Sequence, residues 1–137
     1  MKEINVEIIT PSKSAYKGNV RTIWVPGQLG NFQVLFNHAA LLSNLNVGRI
    51  KIEDTNGQII EYSTGGGTVE VKDNKVLVLA DSVESKEEID IERAKQSLVR
   101  AKERLAKRGI DDLDNLRAEL SLQRAINRIK FSGTSLY

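Results

Sequence analysis

Asp81-Ser82-Val83-Glu84-Ser85-Lys86-Glu87-Glu88-Ile89-Asp90-Ile91-Glu92-Arg93-Ala94 is the stretch on which the reading of this chain turns. Upstream of it apolar residues recur at every second position, the period of strands. Downstream they recur at every third or fourth, the period of helices. The change is abrupt and falls in a polar hinge of about four to six residues, which predicts two structural units joined end to end. The expected division is a β domain over 1–84 and an α-helical hairpin, two antiparallel helices, over 85–137.

In the first half, Ile4, Val6 and Ile8 alternate with Glu3, Asn5 and Glu7, as in a strand with one buried and one wet face. Thr10-Pro11-Ser12 ends it. A short strand around Tyr16 is expected to turn at Gly18-Asn19, and Val20 to Val25 gives the next, closed by Pro26-Gly27. Further strands are expected over Asn31 to Phe36, Val47 to Glu53, Gln58 to Thr64, Thr68 to Lys72 and Lys75 to Ala80. Asn56-Gly57 and Asp73-Asn74 read as two-residue hairpin turns, because these residue types tolerate positive φ. His38 to Asn46 reads as a connecting crossover. Many short strands with frequent turns predict an all-β sandwich or barrel.

Gly65-Gly66-Gly67 invites comparison with a phosphate-binding loop, but no Lys-Ser or Lys-Thr follows and the next residues, Thr68-Val69-Glu70-Val71, are strand-like. The glycines are expected to bend the sheet or to let another backbone approach closely.

In the second half the first helix has two candidate N-caps: Asp90, or Ser85 with Glu88 three residues later. Ile91, Ala94, Leu98, Ala101 and Leu105 form its narrow, alanine-rich apolar stripe, and Gly109 is the expected stop. Asp111 or Asp112 caps a second helix, whose apolar residues are Leu113, Leu116, Leu120, Leu122, Ala125, Ile126 and Ile129. So short a connection predicts an antiparallel hairpin, and so little apolar surface predicts one weakly pinned to its surroundings.

Charge is balanced overall, 20 Lys plus Arg against 18 Asp plus Glu in 137 residues, which argues against bulk nucleic-acid affinity unless charge is segregated. It is segregated: Arg93 to Arg108 holds seven basic side chains and one acid, Glu103. Arg93, Arg100 and Arg104 repeat the spacing of Arg117, Arg124 and Arg128, seven and then four residues. Each row lines one helix face. Such rows are either solvated basic faces or a site for a polyanion, a nucleotide triphosphate or an acidic protein loop. With no cysteine, disulfides and thiolate metal sites are excluded. His38 is the one histidine, and its apolar neighbours suit a packed or interfacial role better than a catalytic relay. No apolar run approaches membrane-span length, and no signal peptide is expected. A nucleophile, base and oxyanion set is lacking, so an enzyme is not expected, and no cofactor is required.

Ile23 to Gly48, with His38-Ala39, Leu41-Leu42 and Gly48, resembles the N-terminal signature of the epsilon subunits of bacterial F-type ATP synthases. Ser63 to Val71 is similar to that family's Ser-Gly-Gly-x-x-Glu-Val strand pair, Val78 to Asp81 to its closing strand, and Ile89 to Ala94 to its Ile-Asp-x-x-Arg-Ala motif. Three positions depart from the pattern: Phe36-Asn37 stands for Pro-Gly, Ala40 for Pro, and Asn31 for a position that is often acidic.

The resemblance implies a non-catalytic subunit of the rotor stalk, peripheral to the cytoplasmic side of the cell membrane, serving proton-driven ATP synthesis. Its expected partners are the gamma subunit and the c-subunit ring, met through Leu29, Asn31, Phe32, His38 and Leu41. When the hairpin extends, the alpha and beta subunits join them and hydrolysis is inhibited, with Arg100, Arg104, Lys107 and Arg108 against the beta subunit. It also implies ATP as a regulatory ligand of the folded-down hairpin, held by Glu84, Ile89, Asp90, Arg93, Ala94, Arg100, Arg124 and Arg128. The alternative class is a free-standing nucleotide- or RNA-binding sensor using the basic hairpin. The absence of interleaved aromatics disfavours it.

Overall fold

A computed structural model describes residues 2–107 and 112–133, except for the side chains of 112–114. The chain divides into two compact units, Met1–Ser85 and Lys86–Tyr137. The described residues of the first form nine strands: β1 (Ile4–Ile9), β2 (Ser14–Gly27), β3 (Gly30–Val34), β4 (Leu41–Leu45), β5 (Gly48–Asp54), β6 (Ile59–Thr64), β7 (Gly67–Lys72), β8 (Lys75–Ala80) and β9 (Val83–Glu84).

They make a β-sandwich organised by β2. Its first half pairs antiparallel with β1, and its second half pairs with β5 and β3 and touches β4 at Gly27. On the other side of β1 lies β8, in parallel register, followed by β7 and β4. Beyond β5 the order continues to β6 and β9. One long strand therefore serves both layers, and it changes direction at a bulge: Val20 faces Asp54 and Thr22 faces Glu53, which leaves Arg21 without a strand partner. The enclosed core includes Val6, Ile8, Val20, Ile23, Val25, Ile50, Ile52, Val69 and Val78, all fully buried.

Four sequence expectations are corrected here. Gly18-Asn19 is not a turn; both residues lie inside β2, opposite Val6 and Asn5, and Asn5 Nδ2 donates to Asn19 Oδ1 at 3.1 Å. Cross-strand pairing with β1 outweighs the local turn preference. Pro26-Gly27 does not close the strand but belongs to it, and the chain reverses at Gln28-Leu29 between paired Gly27 and Gly30. The supposed crossover contains a strand: Leu41–Leu45 carries no β-branched residue, yet all five of its residues pair with β7. At Asn56-Gly57 the loop is longer than two residues, since Asp54 N–H donates to Gln58 O and only Gly57 has positive φ, at 81°. Asp54 organises that turn through Oδ1, which accepts from the N–H groups of Asn56 and Gln58, both at 2.9 Å.

Asp73-Asn74 behaves as expected, with φ of 51° and 60° between paired Lys72 and Lys75. The glycine run is a site of close backbone approach. A Cβ on Gly67, whose φ is 142°, would meet the Leu79 carbonyl oxygen and come within 2.8 Å of Ala80 Cα.

The second unit holds α1 (Ile91–Ala106) and α2 (Asp112–Phe131). Asp90 is the N-cap of α1, which settles the choice against Ser85. Ala94 and Leu98 near the start of α1 pack with Ala125 and Ile129 near the end of α2, flanked by Leu122 and Ile126. The helices are therefore antiparallel. Small alanines at the seam let the two backbones approach closely, and Phe131 is buried beneath the ammonium of Lys86, 5.7 Å from the ring centroid. The expected stop at Gly109 and cap at Asp111 lie outside the described residues, as does Arg108.

Candidate functional site

The two arginine rows meet on one side of the hairpin. At about 100° per residue, Arg93, Arg100 and Arg104 fall in a narrow band about 100° to one side of the buried line Ala94, Leu98, Ala101. Arg117, Arg124 and Arg128 fall about 100° from Ala118, Ala125 and Ile129, in the same rotational sense. In an antiparallel pair, equal offsets of the same sense lie on the same side of the plane containing both axes. Among the helical acids whose side chains are described, Glu92 and Glu103 fall about 80–100° from the centre of the α1 row and Glu119 on the far side of α2. Guanidinium groups so arranged repel one another unless an anion, solvent or a carboxylate lies between them.

Within this face, Arg93, Arg100, Arg104, Arg117 and Lys107 are exposed, whereas Arg124 and Arg128 are half-buried and already have interaction partners. Arg100 Nη2 donates to Ser97 Oγ at 3.2 Å, one turn earlier on its own helix. Asp90 is exposed and its Oδ1 accepts the Arg93 N–H at 3.1 Å. Ile89 and Ala94 are buried, at 8% and 1% exposure. Glu84 belongs to the other unit: it lies on β9, opposite Ser63 of β6.

The β domain carries the other expected contacts. Leu29, at the β2–β3 reversal, is fully exposed, and Asn31 beside it is exposed. Phe32 is half-buried against the core, and its ring lies 6.5 Å from that of His38, tilted by 32°. His38 Nδ1 is 2.7 Å from the Ala39 carbonyl oxygen. Leu41 is half-buried at the start of β4. Phe32 and His38 are thus neighbours in space, whereas Leu29 and Asn31 stand at the hairpin tip.

Sequence reasoning missed one further surface. The outward face of β4, β7 and β8 presents Leu42, 75% exposed, in register with half-buried Leu77 across Glu70 of β7, and Leu79, 48% exposed, two residues beyond Leu77 on β8. Its signal was legible: Val76-Leu77-Val78-Leu79-Ala80 is apolar at every position, the mark of a strand covered on both sides.

The glycine run offers no anion cradle. Gly65 N–H donates to Ser82 O and Gly66 N–H to Thr64 Oγ1. Among the described residues no cluster of His, Asp and Glu could hold a metal ion, and no helix is long and apolar enough to cross a membrane.

The comparisons with known proteins cover both units. The family described as ATP synthase, Delta/Epsilon chain, beta-sandwich domain matches residues 3–86, and its long alpha-helix domain matches residues 87–133. An ATP synthase epsilon chain of Desulforamulus reducens is 37% identical over 129 residues, 94% of this chain and 96% of that one. One of Nitratidesulfovibrio vulgaris is 40% identical, with 98% of each chain covered. Among solved structures, a chain of the Euglena gracilis mitochondrial ATP synthase, OSCP/F1/c-ring, shares the fold with a TM-score of 0.79 at 21% identity, covering 93% of this chain and 79% of that one. Matched along both units and nearly end to end, the chain belongs to the ATP synthase delta/epsilon family.

Proposed function

We propose that this chain is the epsilon subunit of an F-type ATP synthase central stalk, a non-catalytic part of the rotor that sits peripherally on the cytoplasmic side of the membrane. The observation that carries the reading is the near end-to-end likeness, over both units, to proteins named ATP synthase epsilon chain. The β domain docks on the gamma subunit and the c ring. Leu29 and Asn31 at the β2–β3 tip, the Phe32–His38 pair and Leu41 form one part of that contact, and the exposed leucines of β4 and β8 supply apolar area for it. The hairpin alternates between a folded-down state and an extended one in which Arg100, Arg104 and Lys107, with Arg108 beyond, face acidic groups of the beta subunit and restrain hydrolysis.

ATP is the regulatory ligand of the folded-down state. The support for it is the common side on which the two arginine rows fall. Arg93 and Arg100 reach the phosphates from α1, Arg124 and Arg128 from α2. A ligand bound to one state alone adds RT ln(1 + [L]/Kd), about 2.7 kcal/mol at a hundredfold excess over Kd, so ATP raises the melting temperature of the hairpin. Calorimetric titration of the full chain tests this: no heat at millimolar ATP rejects the ligand role and leaves the arginines to the protein contact. Co-purification from membranes with the other ATP synthase subunits tests the rotor role.

A further inference from the structure

Asn37 and Asn74 are far apart in sequence and joined twice in space: Asn37 N–H donates to Asn74 Oδ1 at 2.6 Å, and Asn74 Nδ2 donates to Asn37 Oδ1 at 3.3 Å. Both occupy the left-handed region, with φ of 63° and 60°. For Asn74 the hairpin demands it, as the second residue of the β7–β8 turn. Asn37 has no hairpin to satisfy. It lies in the segment between the end of β3 at Val34 and the start of β4 at Leu41, next to His38, whose N–H closes a turn onto Leu35 O at 3.1 Å. Asparagine tolerates this backbone region better than other side-chain-bearing residues, and it brings an amide that glycine lacks. Asn74 is tied down a third way, because its carbonyl accepts Asn5 N–H of β1 at 2.9 Å.

We infer that Asn37 and Asn74 form a positioning clasp: the β7–β8 turn, held by β1, fixes the loop that presents His38. The clasp gives that loop a single orientation before a partner arrives, which lowers the ordering cost of docking. This rests on the proposed role of His38 and Phe32 in the rotor contact.

The test uses the full chain and two substitutions. Asn74→Gly keeps a residue suited to positive φ in the turn but removes the side-chain acceptor, whereas Asn74→Asp keeps the acceptor for Asn37 N–H. In Asn74→Gly, amide hydrogen exchange at Asn37 and His38 should quicken by roughly tenfold or more with global melting unchanged, since the opening is local. Affinity for the rotor complex stripped of this chain should fall by about three- to tenfold. Asn74→Asp should restore protection at Asn37 and most of the affinity, a rescue that general turn stability would not produce. Unchanged exchange in Asn74→Gly overturns the clasp. Faster exchange with unchanged affinity overturns its positioning role. Failure of the wild-type chain to bind the stripped rotor is a separate outcome, one that rejects the rotor reading and this inference with it.

Discussion

The Asp90 carboxylate accepts the backbone N–H of Arg93 at 3.1 Å, so the two polar residues of the Ile-Asp-x-x-Arg-Ala motif are joined by a helix cap. The spacing of three is what an N-cap side chain needs to reach an orphan amide of the first turn. The motif therefore has a structural reason at Asp90 and leaves the Arg93 guanidinium exposed and available to a ligand.

That separation is testable. Asp90→Ala should destabilise α1 by about 1 kcal/mol, and Asp90→Asn by much less, because asparagine keeps an acceptor. Arg93→Ala leaves the cap intact, since the capped group is backbone. If the guanidinium meets phosphate, Arg93→Ala weakens ATP binding by roughly one to two decades, with little change in melting of the free chain. Calorimetry and circular dichroism on the three variants read both quantities.

A chain ending at Glu87 should fold as a β domain. β9 closes onto β6 through Ser63–Glu84 and Thr64–Val83, and the cut falls after these pairs. Circular dichroism should show strand content with a cooperative melt, and the fragment should still bind the stripped rotor while no longer restraining hydrolysis. An unfolded fragment would refute the two-unit division.

Charge reversal at Arg100 and Arg104, both to Glu, should relieve inhibition of hydrolysis in the assembled complex, because attraction to carboxylates becomes repulsion. Raising salt should reproduce part of the effect, exposed charges being screened beyond about 8 to 10 Å at moderate ionic strength. Hydrolysis assays at two salt concentrations check both. Inhibition that survives the double reversal would place the contact elsewhere.

Two glycines should respond oppositely to alanine. Gly67→Ala drives a methyl into the Leu79–Ala80 backbone at φ 142°, and should cost about 2 to 4 kcal/mol. Gly18→Ala meets nothing nearer than Tyr16 Oη at 3.6 Å inside an ordinary strand, and should be neutral or stabilising by about 0.5 kcal/mol. Urea melts of the two variants measure the contrast.

Tyr16 should make the β domain sensitive to alkali. Partial burial, and secondarily the charge of Asp54, push its phenol above its ordinary value of 10.0. A pKa raised in the folded state means that the folded chain holds the proton more tightly. The associated stability is fully present below the unfolded value near 10 and is lost as pH rises through the folded one. Tyr16→Phe should therefore lose less stability than wild type above pH 10, as seen in denaturant midpoints at rising pH.

Patterns of two and of 3.6 residues are local properties, so the split near Ser85, the helical stripe of Ala94, Leu98 and Ala101 and most of the strands were legible in the residue order. The acceptance of positive φ by Asp73 and Asn74 was equally local. Other features depended on which segment pairs with which. Gly18-Asn19 has the composition of a turn and became strand because β1 lies opposite it. Leu41–Leu45 lacks β propensity and became strand because β7 offered five partners. The fit of Gly67 against Leu79 and the joining of Asn37 to Asn74 involve residues too far apart in sequence for any window to relate them. The arginine rows show both cases at once. Their spacing of seven and four was plain from the start, but their convergence on one side follows only from the antiparallel packing of α1 against α2, which turns equal angular offsets into a shared face.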